Sequence, residues 1–328
     1  MASAYLGPEI HRPLAVISES YQTRLKIPSL EGEERYRFGH MYEQKMYSLL
    51  HEHLELGTTD KLVYVGDIRG SMADAIEDKF CLVHPVQTVI PGHFHYAETE
   101  GGAKMLPIRI AHVGAEEFFR NLAEDKSPDK PKYDRILVDD CVRYLAEPRV
   151  TYKNMVASLA PQGRLLLIHR PGDLSTLPYF SDARQRLSEN EIAYSDIIRD
   201  LQACRLDVSW ELECLPVRMS KRKWLAMLRE RYPTQTEILS QMEVVSGIRE
   251  LSEGVLKYEG DMVEFIDRQL FISARPCRLP KGIPSVTRGG AELDPSPAQS
   301  LPRLKYVMKI CPDQLKELRR KPEEDWFV

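Results

Sequence analysis

Four short apolar runs recur along this chain, each separated from the next by a polar segment of helix or loop length. They are LVYV at 62–65, IRIAHV at 108–113, RILVDD at 135–140 and RLLLIH at 164–169. Apolar runs of this length are typical of strands buried on both faces, and their alternation with helical segments favours a parallel sheet covered by helices. The pattern therefore predicts an α/β fold with a doubly wound, mostly parallel sheet.

Further segments extend this pattern on both sides and suggest three regions. The charged, amphipathic segment from Glu31 to His53 predicts a helix, and the segment from Arg275 onward is rich in Pro, Gly and Ser, as in a linker. Between them, further predicted elements are a helix at 150–159, a strand at 207–215, a helix at 221–232 and a strand at 263–274. We expect an N-terminal extension at 1–34, a domain at 35–276, and a linker and tail at 277–328.

Composition excludes several classes of function. The 328 residues carry a formal charge of -4, which leaves no excess of basic residues to neutralise a nucleic acid. No apolar run approaches the ~18 residues that span a bilayer, and the first residues lack the pattern of a signal peptide, so we expect a cytoplasmic protein without a membrane partner. Six cysteines without a C-x-x-C pair predict reduced, buried thiols and neither a disulfide framework nor a zinc site.

The first apolar run is followed by a turn with two glycines, in KLVYVGDIRGSMADAI at 61–76. A glycine turn between a strand and a helix lets the backbone approach a ligand, and the helix N-terminus offers free N–H groups to an anion. Strand-to-helix corners also use glycine for steric reasons alone. The turn by itself leaves both interpretations open.

The order of the segments strengthens the ligand-binding interpretation, because from Arg35 to Pro276 the chain resembles the class I S-adenosylmethionine-dependent methyltransferases. LVYVGDIRG stands where that family has its glycine-rich first motif, and IAHVGAEEFF, YDRILVDD and LAPQGRLLLIHRPG are similar to the motifs of its third, fourth and fifth strands. KRKWLAMLRERY and GDMVEFIDRQLFISARP fit its small-molecule branch. The resemblance implies a seven-stranded Rossmann-like sheet with an antiparallel last strand.

The resemblance also implies S-adenosylmethionine as cofactor, a small-molecule substrate and a set of site residues. The cofactor positions that it assigns are Gly66, Asp67, Ile68, Gly70, Gln87, Ala115, Glu116, Asp139 and Asp140. His169 follows the fifth strand and is the candidate general base, with an imidazole that caps a turn as the alternative. Asp139 and Asp140 are alternatively a solvated strand end or helix cap. His93 and His95 fit a metal pair or a solvated loop, and no metal site is predicted.

Three departures from the family pattern leave catalysis open. Tyr64 stands at an acidic position, Ile68 replaces the middle glycine, and the second-strand region offers Gln87 but no acid for the cofactor's ribose until Glu98. Asp67 and Arg69 offer polar contacts in their place. The sequence therefore predicts methyl transfer to a small molecule with weak cofactor binding, with a catalytically inactive binding or scaffolding protein as the alternative. A dinucleotide-dependent oxidoreductase is disfavoured, because G-D-I-R-G lacks the G-x-G-x-x-G spacing.

Overall fold

A computed structural model describes residues 36–69, 72–92, 110–111, 113–127 and 130–276, together with the short strands at 287–289 and 305–307. Gly70, His93 and His95 lie outside the described residues. The chain divides into two compact units, Met1–Pro276 and Cys277–Val328. The separate roles that we expect for 1–34 and 277–328 remain predictions.

The first unit alternates strands and helices along most of its length. Its strands are β1 (Leu62–Val65), β2 (Gln87–Val89), β3 (Ile110–Ala111), β4 (Tyr133–Asp139), β5 (Leu159–His169), β6 (Leu206–Ser220) and β7 (Met262–Pro276). Its helices are α1 (His40–Leu54), α2 (Met72–Phe80), α3 (Ala115–Glu124), α4 (Pro148–Ser158), α5 (Ser181–Glu189), α6 (Tyr194–Ala203), α7 (Lys221–Arg229) and α8 (Gln241–Glu253). In the second unit, β8 (Thr287–Gly289) and β9 (Lys305–Val307) form an antiparallel pair.

Within the described residues of the first unit, the strands form one seven-stranded sheet in the order β3-β2-β1-β4-β5-β7-β6. The strands from β1 to β5 are parallel, whereas β7 runs antiparallel to both β5 and β6. This topology confirms the doubly wound, mostly parallel fold, and the four apolar runs all contribute to the one sheet. The chain leaves β1 toward β2 on one side and reaches β4 on the other, so β1 and β4 flank the topological switch point.

Burial on both faces explains why the central strands are apolar throughout. Leu62 and Tyr64 pack into one core with α1, whereas Val63 and Val65 pack into a second core with α3 and α4. Successive side chains of a strand point to opposite faces, so both faces of β1 are buried only if all four residues are apolar or aromatic. The sheet thus lies between two helical layers.

Several predicted boundaries are wrong, each for a local reason. Helix α1 begins at His40, after Gly39 at a φ of 106°, rather than near Glu31. Strand β5 begins at Leu159 and carries Pro161 and Gly163 within it, where its pairing with β4 shifts register.

The cysteines are not uniformly buried, since Cys81 and Cys214 are exposed. Among the described residues, no helix combines the length and the apolar character that crossing a membrane requires.

Candidate functional site

The carboxyl ends of β1 and β4 border a narrow crevice at the switch point of the sheet. Its cavity measures about 40 Å³. The residues that line it include Tyr36, Tyr42, Tyr64, Asp67, Arg69, Asp139, Arg170 and Tyr232. Two of the predicted cofactor positions, Asp67 and Asp139, therefore lie in one crevice.

Tyr64 fills the space beneath the turn that follows β1. Its hydroxyl lies 3.1 Å from Asp139 Oδ2 and 3.2 Å from the carbonyl oxygen of Asp67. A Cβ atom added at Gly66 would lie 2.6 Å from that hydroxyl, and real Cβ atoms do not approach other atoms so closely. Gly66 is therefore required for packing against Tyr64, and the steric interpretation of the first glycine is sufficient.

The turn is closed by an ion-paired group of three side chains, Asp67, Arg69 and Glu237, which we call the Arg69 latch. Arg69 Nη2 lies 2.6 Å from Asp67 Oδ2 and 2.7 Å from Glu237 Oε1, and all three side chains are at most 9% exposed. Arg69 Nη1 also donates to the carbonyl oxygen of Glu230 at 2.7 Å. Burial raises the pKa of Glu237, and the Arg69 guanidinium opposes that rise. The latch thus ties the turn after β1 to the segment that follows α7.

The guanidinium of Arg69 is also enclosed by aromatic rings. It lies 5.5 Å from the ring centroid of Tyr36 and 5.5 Å from that of Tyr232. A guanidinium at this distance from an aromatic ring is attracted by the ring's quadrupole. Rings and ion pairs together hold Arg69 inside the crevice.

An apolar contact forms at the carboxyl end of β2, at the same edge of the sheet as the crevice. Val65 pairs with Val89, so the residue that emerges beside Gly66 is Ile90. Ile90 is 9% exposed and packs against Ile68 and Tyr144. Gln87 pairs with Val63, two residues before the edge, and it is not among the described residues that line the crevice. Strand geometry places it about 7 Å below the edge, at ~3.3 Å per residue. Its contact with a cofactor remains a prediction.

Two further predicted positions are engaged in helix packing. Ala115 is fully buried, and its N–H donates to Ile90 O at 3.0 Å. Glu116 Oε1 accepts from the N–H of Glu147 at 2.7 Å, just before α4 begins. An acidic side chain satisfies the unpaired donors at a helix N-terminus. Neither residue is among those that line the crevice, and Glu116 instead accepts a hydrogen bond at the N-terminus of α4.

Asp139 is a carboxyl group of the crevice with a strongly raised pKa. Burial raises its pKa from 3.8 to about 6, although Arg170 opposes that rise. A carboxyl with a pKa near neutrality is suited to proton transfer at physiological pH. Asp139 is therefore the candidate base that the structure favours in this crevice.

We expect Asp139→Asn to stabilise the protein at pH 8. The pKa of Asp139 is higher in the folded than in the unfolded protein, so the free energy of unfolding falls as the pH rises from about 4 to 6. At 1.36 kcal/mol per pKa unit, the loss is at most about 3 kcal/mol. The gain in melting temperature over wild type should be present at pH 8 and vanish near pH 4. Asp207→Asn, at an exposed ion pair, is the control. An equal difference at both pH values would contradict a raised pKa at Asp139.

Asp140 belongs to a buried network of charges beside the crevice. Arg170 Nη1 donates to Asp140 Oδ2 at 2.8 Å, and Arg170 Nη2 donates to Asp267 Oδ2 at 3.0 Å. Tyr42 Oη donates to Asp267 and Gln269 Nε2 donates to Tyr42 Oη, at 3.0 and 2.8 Å. Asp140 also has a φ of 47°, in the left-handed region that residues other than glycine adopt infrequently. Its carboxylate is therefore bound to Arg170 rather than directed toward a ligand.

His169 does not meet the requirements of the predicted general base. Its side chain is buried outside the residues that line the crevice, and its Nε2 has no hydrogen-bond partner among the described residues. Burial lowers its pKa to about 4, although Asp140 opposes that change. It is a neutral core imidazole at pH 7. The structure thus places Asp139 in the crevice and His169 outside it, and the role of His169 as a base remains a prediction.

Sequence reasoning did not select three of the residues that close or support the crevice, Glu237, Asp267 and Gln269. Asp267 and Gln269 lie in β7 on the face that also carries buried Val263 and Phe271. Polar residues at positions where strand alternation predicts an apolar face were the available signal. No comparable signal marks Glu237, whose partner Arg69 lies 168 residues earlier in the chain.

Solved structures similar to this chain are methyltransferases and related enzymes. A putative methyltransferase of an antibiotic biosynthesis pathway from Anabaena variabilis is 12% identical, with 71% of this chain and 97% of that chain covered and a TM-score of 0.44. Phosphoethanolamine N-methyltransferase 2 of Haemonchus contortus, in complex with S-adenosyl-L-methionine, is 17% identical, with 75% and 57% covered and a TM-score of 0.40. The [4+2]-cyclase SpnF is 14% identical, with 71% and 80% covered and a TM-score of 0.41. Such low identities and TM-scores carry no information on function.

No protein-family model matches the sequence. No curated protein matches it either. The strand order itself defines the class, a Rossmann-like methyltransferase fold with an antiparallel seventh strand.

The crevice in its present form does not accommodate S-adenosylmethionine. Sites for ligands of that size measure roughly 300–1,000 Å³, whereas this cavity measures about 40 Å³. Tyr64, Arg69 and Tyr232 occupy the space, and an apolar residue, Ile90, follows β2 at this edge of the sheet. Binding requires the Arg69 latch to open.

Proposed function

We propose that this protein is an S-adenosylmethionine-dependent methyltransferase of a small molecule, described here in a closed form. The observation that supports the proposal is the position of the crevice. It lies at the carboxyl ends of β1 and β4, the switch point at which open α/β sheets bind ligands. Asp139 in the same crevice has a pKa of about 6 and is suited to accept a proton from a substrate.

The charges of the latch match the ends of an amino-acid moiety. Arg69 complements a carboxylate and Asp67 complements an ammonium, but the two are now paired with each other at 2.6 Å. Each charge-assisted hydrogen bond is worth roughly 1.5–3 kcal/mol. A ligand that must first open the latch therefore binds about 10- to 100-fold more weakly than to an open crevice.

We expect wild-type protein to bind S-adenosylmethionine with a dissociation constant of tens of micromolar or poorer. Opening the latch lowers the affinity by about one to two orders of magnitude relative to a micromolar binder. Arg69→Lys with Glu237→Gln weakens the latch, because lysine lacks the fork that binds two carboxylates, but it keeps a cation for the ligand's carboxylate and Asp67 for its ammonium. This double variant should bind about 10- to 100-fold more tightly. Calorimetric titration with the cofactor and with its demethylated product measures both.

An exposed ion pair on α8 supplies the matched control. Arg249→Lys with Glu253→Gln makes the same changes in one Arg–Glu pair, at 57% and 59% side-chain exposure, and should leave cofactor affinity unchanged. Wild-type affinity below a micromolar would contradict the closed-crevice proposal. Circular dichroism of each variant verifies that the fold is retained.

A non-catalytic binding or scaffolding protein is the second candidate, and the cavity of about 40 Å³ favours it. In that case the latch and the surrounding rings are permanent packing in a former cofactor site. Neither wild type nor the Arg69/Glu237 variant would then produce heat at millimolar S-adenosylmethionine. That result would reject the methyltransferase proposal.

A further inference from the structure

Three potential metal-binding side chains converge at the end of α1 farthest from the crevice. His53 lies in the last turn of α1, and Glu211 and Glu213 lie on β6. Their ligand atoms all lie within 4.8 Å of one another. His53 is eleven residues beyond Tyr42, which lines the crevice, so the cluster is about 16 Å away along the helix at 1.5 Å per residue. This His53 cluster is separate from the candidate active site.

The imidazole of His53 is held in the orientation that a metal ligand needs. Its side chain is partly buried, and its Nε2 is shielded from solvent without a hydrogen-bond partner among the described residues. Nδ1 lies 3.1 Å from Ser273 Oγ, and the ring stacks on Phe271 with centroids 5.1 Å apart. With its proton on Nδ1, His53 donates to Ser273 and leaves the lone pair of Nε2 free. Metal-binding histidines are commonly oriented by such a second hydrogen bond.

Both carboxylates lie beside the His53 ring because alternate residues of a strand project from the same face. Glu211 and Glu213 are two residues apart on β6 and so project from one face. They pair with Phe271 and Gln269 of β7, and the neighbouring Ser209 pairs with Ser273. Both carboxylates therefore lie on the face where Phe271 and Ser273 contact His53. The carbonyl end of α1 further favours a cation.

From this geometry we propose that His53, Glu211 and Glu213 bind a divalent transition-metal cation, with zinc as the best match. One imidazole nitrogen and two carboxylate oxygens are ligands that zinc accepts, with water completing the coordination. The cation would join the last turn of α1 to β6. The sequence predicted no metal site, because His53 lies more than 150 residues before Glu211 and Glu213 in the chain.

The groups around the cluster are compatible with a cation. Lys45 Nζ lies 3.5 Å from Glu213 Oε2, but the lysine side chain is 44% exposed, and such ion pairs are weak enough for a metal to displace.

The test is calorimetric titration of the full chain, freed of metal by a chelator, with Zn²⁺ alone. Wild type should show a binding event that Glu211→Gln with Glu213→Gln abolishes. Both glutamates are at least partly exposed, so this variant should fold like wild type. Ser273→Ala should weaken the same event by about 10- to 100-fold, as loss of an orienting hydrogen bond does.

His51→Gln is the matched control, since His51 lies on the same helix but outside the cluster. It should retain the wild-type event and thereby separate the cluster from zinc binding by other histidines and cysteines. Equal stoichiometry and affinity in wild type and the double glutamate variant would overturn the proposal. Absence of any Zn²⁺ binding to wild type would overturn it as well.

Discussion

Replacing Arg170 by methionine is expected to lower the free energy of unfolding by about 3–5 kcal/mol, the typical cost of breaking a buried ion pair by removing one partner. Arg170 is 6% exposed and contacts the carboxylates of both Asp140 and Asp267. The variant would leave two carboxylates buried without their cation. Because a domain of this size loses roughly 2–4 °C per kcal/mol, the melting temperature should fall by about 6–20 °C.

An exposed ion pair of the same sheet is the control. Arg275→Met removes the partner of Asp207, where both side chains are more than half exposed, and should cost less than about 1 kcal/mol. Adding Asp140→Asn and Asp267→Asn to Arg170→Met should restore part of the lost stability, because the buried charges are then neutral. A loss below about 1 kcal/mol in Arg170→Met would show that the network does not support the core.

Restoring the cofactor loop is expected to tighten binding of S-adenosylmethionine by about 10- to 100-fold, the value of one charge-assisted contact of roughly 1.5–3 kcal/mol. The change is Ile68→Gly together with Ile90→Asp. Ile68 and Ile90 now pack against each other and Tyr144. The glycine removes that apolar contact, and the aspartate offers two oxygens to the ribose hydroxyls.

Ile68→Gly with Gln87→Asp is the matched control. It keeps the glycine but introduces the aspartate below the sheet edge, at a residue of β2 that pairs with Val63. Calorimetric titration should show a gain in affinity for the Ile90 variant alone. Equal affinities in the two double variants would mean that Ile90 does not face the ribose. Failure of both to bind would support the non-catalytic candidate.

The sheet was predictable because burial on both faces imposes a local signature. LVYV and ILV are unbroken apolar runs, and the alternation of such short runs with helical segments favours central strands between two helical layers. The glycine turn likewise marked where β1 ends. Strand ends such as that of β6 were less predictable, because a half-exposed strand extends as far as its partner β7 allows.

The candidate site was only partly predictable, because its residues meet through the fold. Asp67 and Asp139 were found since each follows an apolar run, and parallel strands end at one edge. The position of Gln87 below the edge was not predictable, because the sequence does not reveal the register of β2 against β1. The burial of His169, which lowers its pKa, was not predictable either, because it depends on helices and loops far away in the chain.

The sequence by itself determined the class of fold and the edge of the sheet where a ligand would bind, because apolar periodicity and glycine turns are local properties of the chain. Only the tertiary structure decided whether that edge is open. Arg69 meets Glu237 across 168 residues, and Tyr64 reaches Asp139 across 75. Such contacts depend on which segments the fold brings together, and they are what closes the crevice.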